Sequence, residues 1–157
     1  MCGEASLPVG GDLGLNGHGL RDRQVRGPHD PDWRPTWVVV GCRRYACNAC
    51  DAILTVVPRG IAPRRHYGYA AIALALTLWQ LVKEPVAEVR RRVCAWPISF
   101  EAPSRWPVLQ RTALGDASLS LDVAAARWAQ IAVGRAPPSA RSRELWVQAF
   151  IGGSVMP

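Results

Sequence analysis

From Tyr69 to Val82 the chain is almost wholly apolar, and only Thr77 and Gln80 interrupt the run. No helical register gives such a stretch a polar face, so it has to be covered on every side. At 14 residues it is shorter than the ~20 that a helix needs to cross a bilayer. A helix lying on a membrane surface would need a charged opposite face, and this run has none. The run therefore predicts a buried helix at about 67–82, the most buried element of the protein, enclosed by others. Candidates for the enclosure follow. Pro85 suits the first turn of a second helix reaching Val93. Leu121 to Val133 carries Val123, Ala126, Trp128 and Ile131 at near-helical spacing. Pro137-Pro138 separates it from a last helix at about 139–151, and a short helix is expected near 105–114. Trp79, Trp128 and Trp146 fall on these helices and are expected to be core.

Upstream the character is different. Residues 1–34 are rich in Gly, Pro and Asp with little periodicity, and read as loop. From Thr36, Trp37-Val38-Val39-Val40 begins a strand that continues to Tyr45, and Ile53 to Val57 forms a second, stopped by Pro58 and Gly60. Between them Cys47-Asn48-Ala49-Cys50-Asp51 is a tight polar turn. The expected fold is α+β. A β-hairpin module at 1–62, which the resemblance described below makes zinc-ribbon-like, precedes a small helical bundle at 63–157, whose first two helices have the sequence layout of a helix-turn-helix.

The hairpin tip carries the chemistry. Two thiols with two residues between them can turn towards one Zn²⁺, which takes four ligands in a closed structural site. Five cysteines at irregular spacing make a poor disulfide framework. No basic stretch followed by an apolar one opens the sequence, so a reducing, cytoplasmic setting is expected. There a Cys-x-x-Cys pair binds metal, acts in redox chemistry, or persists as the remnant of a decayed site. The redox reading lacks the βαβ context it usually has. Upstream, Cys2 is the one cysteine that can add a third ligand, and a long loop between ligands adds closure entropy only logarithmically. Cys42, five residues before Cys47 along a strand, is about 16 Å away and reads as a strand thiol. Cys94 reads as a core or boundary thiol.

Nineteen basic residues against twelve acidic ones give a net charge of +7, which favours polyanionic partners. All the basic residues but Lys83 are arginine, and they cluster. Arg43 and Arg44 precede the knuckle, Arg64 and Arg65 follow the hairpin, and Arg90, Arg91 and Arg92 end the second helix. With Tyr45, Tyr67 and Trp96 near them, these are the candidate nucleic-acid contacts, since guanidinium forks suit phosphates and guanine edges. The competing reading is a solvated face with arginines complementing a helix C-terminus. No carboxylate set suited to two-metal phosphodiester chemistry, phosphate-cradling glycine loop or nucleophile elbow is present. The chain is therefore expected to be non-catalytic, with no small-molecule substrate and no membrane partner.

Arg44-Tyr45-Ala46-Cys47-Asn48-Ala49-Cys50-Asp51, followed by Ile53-Leu54-Thr55 and Pro58, resembles the second half of the zinc ribbons in bacterial insertion-sequence transposases. Gly17-His18-Gly19-Leu20-Arg21-Asp22-Arg23 resembles the linking stretch of those ribbons. Residues 2–93 follow the layout of a group of transposase-like zinc-ribbon proteins of GC-rich bacteria, and 94–157 follow it loosely. The resemblance implies zinc held by Cys2, Cys47 and Cys50, DNA as partner, and a role in a mobile element, alone or beside a separate recombinase. There are two departures. Asp51 stands where the knuckle usually has Gly. Cys2-Gly3 matches only the end of the first knuckle, so the fourth ligand is left to an upstream cysteine or to His18. The alternatives are a zinc-stapled protein-interaction module and a decayed transposase fragment.

Overall fold

The computed structural model describes residues 14–62, 65–94 and 118–156. Cys2, Arg64 and the expected short helix at 105–114 lie outside them. Three strands, β1 (Leu15–Gly27), β2 (Thr36–Cys47) and β3 (Ile53–Val56), form one sheet in the order β1-β2-β3. Four α-helices follow: α1 (Tyr69–Gln80), α2 (Val86–Val93), α3 (Leu121–Gly134) and α4 (Leu145–Ser154). The architecture is thus α+β, with strands first and helices after. No helix among the described residues is long and apolar enough to cross a membrane.

By packing the chain forms two compact units. One takes residues up to Gln24 together with Val39–Pro58, and the other takes Val25–Val38 together with the chain from Arg59 onward. The division by sequence at 62/63 did not foresee that 25–38 goes with the helices. Local bonding explains it. Arg26 N–H donates to the His66 carbonyl, and Arg26 bridges Tyr67 in parallel. Gly27 has φ +120°, and a Cβ there would lie 2.5 Å from the Ala71 Cβ. Only glycine allows both that backbone angle and that approach.

In the sheet unit β2 and β3 pair antiparallel, with Arg43 opposite Val56, Tyr45 opposite Leu54 and Ala46 opposite Ile53. Both strands lie where the β-branched runs placed them. β1 is a correction, because it runs through Gly17, Gly19 and a polar stretch that read as loop. Such residues have little strand preference of their own, and pairing along β2 supplies the order. Cys42 is the single buried residue among the described residues of this unit.

In the helical unit α1 is the centre. Leu74, Leu76 and Leu78 are fully buried, and α1 packs against α2, α3 and α4. Its lack of a polar face is met by enclosure, as the sequence requires. Trp128 is buried and stacks with Tyr69 at 6.0 Å between ring centroids, while Trp79 and Trp146 pack at the margin of the core. At its C-terminal end Gln80 Nε2 donates to Asp122 Oδ1 at the start of α3 (3.1 Å). The last helix begins at Leu145 rather than near 139, after a 3₁₀ turn at Pro138–Ala140. The Gln148 side-chain amide donates to the carbonyls of Arg141 and Arg143, giving those peptide groups partners outside a helix.

Candidate metal knuckle and basic surface

β2 ends at Cys47, and the chain reverses over Asn48 to Asp51 before β3. Two backbone bonds close the reversal: Asp51 N–H to the Cys47 carbonyl (2.9 Å) and Cys47 N–H to the Ala52 carbonyl (3.0 Å). Asp51 has φ +54°. That left-handed conformation explains why glycine is usual after the second cysteine of a knuckle. Aspartate is among the few other residues that adopt it at modest cost. Cys47 is half-buried and Cys50 exposed, and both belong to this one turn.

Among the described residues no group of three His, Cys, Asp or Glu side chains is placed to hold a metal. Cys47 and Cys50 are two potential ligands, where a closed tetrahedral zinc site takes four. His18 does not join them, although it is a chemically suitable ligand. Asn48 N–H donates to the Gly14 carbonyl (2.8 Å), which brings the N-terminal end of β1 to the knuckle. His18 is four residues further along the strand, about 13 Å away at the usual rise. Cys42 is 1% exposed and sits inside β2, so it is a packed strand thiol, more deeply buried than its sequence position suggests.

The arginine clusters fall in different units. Arg43 and Arg44 are neighbours on β2 and point to opposite faces, Arg43 exposed and Arg44 half-buried. Arg65 is half-buried in the helical unit. Arg90, Arg91 and Arg92 do end α2, but successive helical residues diverge by about 100°, and Arg91 and Arg92 engage neighbouring side chains. Arg91 Nε donates to Glu88 Oε2 at 2.8 Å, with a second bond to Oε1. That guanidinium holds the Glu88 carboxyl below its ordinary range. The Arg92 guanidinium carbon lies 4.0 Å from the centroid of the Trp146 ring, a cation–π contact onto α4.

Beyond α2, Cys94 is buried and hydrogen-bonded to Tyr67. Burial pushes its thiol up from 9.0 to about 11, despite the opposing effects of Tyr67 and Arg90. The Tyr67 hydroxyl is also raised, by burial first and by Cys94 second, with Arg26 opposing. A thiol so raised stays protonated near neutrality and is a poor nucleophile or metal ligand. Sequence reading missed one surface. Val39, Arg43, Leu54 and Val56 are exposed on one face of β2–β3, beside half-buried Tyr45. The signal was available in β2, where Val39, Gly41, Arg43 and Tyr45 recur at strand period.

No protein-family model matches the chain, and no curated protein or solved structure matches it.

Proposed function

We propose that this protein is a non-catalytic, zinc-ribbon DNA-binding protein of the kind associated with mobile elements, its sheet module stapled by one structural Zn²⁺. One observation carries the reading. The sheet unit buries a single described residue, Cys42, yet holds a long three-stranded sheet with a two-thiol turn at one end. A module that small with so little core needs another source of stability, and a metal is a common one. Cys47 and Cys50 would provide two thiolates and Cys2 a third. Bound zinc would act as a cross-link between the N-terminal segment and the hairpin, and its binding energy would be folding energy.

DNA contact in this reading falls first to Arg43 and Arg44, next to the knuckle. Arg64 and Arg65 are further phosphate contacts, and Arg90, Arg91 and Arg92 are the contacts that α2 would add. A helix-turn-helix reading of α1–α2 makes α2 the recognition helix. The engagement of Arg91 by Glu88 and of Arg92 by Trp146 favours the sheet arginines over it. The test is a pair of measurements on the full chain. Elemental analysis is expected to give one zinc per chain. Gel-shift titration on duplex DNA at two salt concentrations is expected to give a log–log slope of roughly −4 to −5 for about five phosphate contacts. Arg43→Ala with Arg44→Ala should flatten that slope by about 2. A metal-free, folded protein that binds no DNA at low salt would overturn the proposal and leave the protein-interaction or decayed-fragment readings.

A further inference from the structure

The two faces of β2 are treated differently by the fold. Residues two apart share a face. Val40, Cys42, Arg44 and Ala46 lie on the side where Cys42 is 1% exposed. Val39, Gly41, Arg43 and Tyr45 lie on the other, which the β3 register extends with Leu54 opposite Tyr45 and Val56 opposite Arg43. On this open side Val39 is 53% exposed, Leu54 49% and Val56 54%. All of these residues belong to the sheet unit. Gly41 sits in the middle of the strand, where glycine weakens a sheet, and a Cβ there would meet nothing within 4 Å. The result is an apolar floor with a bare centre, a phenol ring at one end and an exposed guanidinium beside it.

Building on the DNA-binding reading above, we propose that this open face of β2–β3 holds unpaired nucleotides of single-stranded nucleic acid. Tyr45 stacks on a base, Val39, Leu54 and Val56 contact base and sugar over Gly41, and Arg43 pairs with phosphate. The chemistry selects the ligand form. A duplex shows phosphates outside and hydrogen-bonding base edges in its grooves, and Val39, Leu54 and Val56 have no donor or acceptor to offer either. Unpaired bases expose π-faces that such a surface can cover regardless of sequence. The Arg43 cation beside the Tyr45 ring, on a chain of net charge +7, favours a polyanion over an apolar protein surface.

Fluorescence anisotropy on the full chain would compare a labelled mixed-sequence single strand with the duplex of the same length, each at two salt concentrations. The single strand should bind more tightly. Tyr45→Ala and Tyr45→Leu should each weaken single-strand binding about tenfold with the salt slope unchanged, because stacking releases no counterions. Tyr45→Phe should bind like the parent. Arg43→Ala should instead flatten the single-strand slope by about 0.7. Circular dichroism and zinc content identify any variant that fails to fold, and the Leu and Phe variants keep the side-chain bulk that Ala removes. Equal affinity for duplex and single strand, with the Tyr45 variants unchanged, would overturn this inference and leave the DNA-binding reading standing. The Tyr45 variants would also be silent if the face docks a protein. Loss of all binding to both nucleic acids in the parent protein would overturn the two together.

Discussion

At the scale of single residues, conformation and burial decide what a side chain can do. Asp51 takes a backbone angle usually left to glycine, and so closes the turn between β2 and β3 without one. Cys47 and Cys94 are both thiols on element ends, yet their surroundings differ. Cys94 is 9% exposed and its ionisation is held up to about 11, while Cys47 is half-buried beside an exposed turn. This has a pH consequence. A thiol whose folded value exceeds its unfolded value of 9.0 binds more protons in the native state between the two. Its favourable share of stability is therefore intact below about 9 and is lost as pH rises towards about 11. Tyr67, also raised, adds the same sign at still higher pH. Chemical denaturation at pH 8 and pH 10.5 should show a fall for the parent and a smaller one for Cys94→Ala. Equal falls would remove Cys94 from the account.

Among the elements, α1 and α4 show how close approach is encoded. Gly152 and Gly153 let α4 lie directly on its neighbours. A Cβ on Gly152 would fall 1.8 Å from the Ala132 carbonyl oxygen of α3, and one on Gly153 would fall 2.7 Å from the Ala73 Cβ of α1. A backbone oxygen cannot rotate away, so Gly152→Ala should cost about 3 kcal/mol through overpacking. Gly134, at the end of α3, has nothing within 4 Å of its would-be Cβ. Gly134→Ala should therefore stabilise by roughly 0.5–1 kcal/mol from helix preference alone. Thermal melts of the two variants should move in opposite directions. All three lie in helices, and it is the facing helix that separates them. By contrast the burial of Leu74 and Leu78 was legible, because a run with no polar face has no alternative.

For the whole molecule, burial is divided unevenly between the two units. The core cluster runs from Ala62 through α1, Val89, Val93 and α3 to Met156, all in the helical unit. The sheet unit has one buried described residue and a thiol turn. If zinc staples the sheet, its removal should be felt there first. Chelation by a strong zinc ligand is expected to abolish nucleic-acid binding while the helical circular dichroism signal near 222 nm keeps most of its amplitude. Simultaneous loss of helix and binding, or no change in either, would count against a separate metal-stapled module.

Several features are set by local chemistry that no fold can escape. The apolar run had to be a buried helix, the β-branched runs had to be strands, and the Cys-x-x-Cys between them had to sit on the connecting turn. Other features depend on partners distant in the chain. β1 is ordered by its pairing within the sheet, and 25–38 goes with the helices because Arg26 and Gly27 meet Tyr67 and Ala71. The triple arginine of α2 reads as one basic patch in the sequence. In three dimensions Glu88 takes one guanidinium and the Trp146 ring another, because helical rotation sends neighbouring side chains in different directions and long-range packing supplies the partners. The open face of β2–β3 likewise exists only once the register sets Leu54 beside Tyr45 and Val56 beside Arg43. Periodicity and residue type act over a few neighbours, whereas exposure and pairing are properties of whatever the rest of the chain brings alongside.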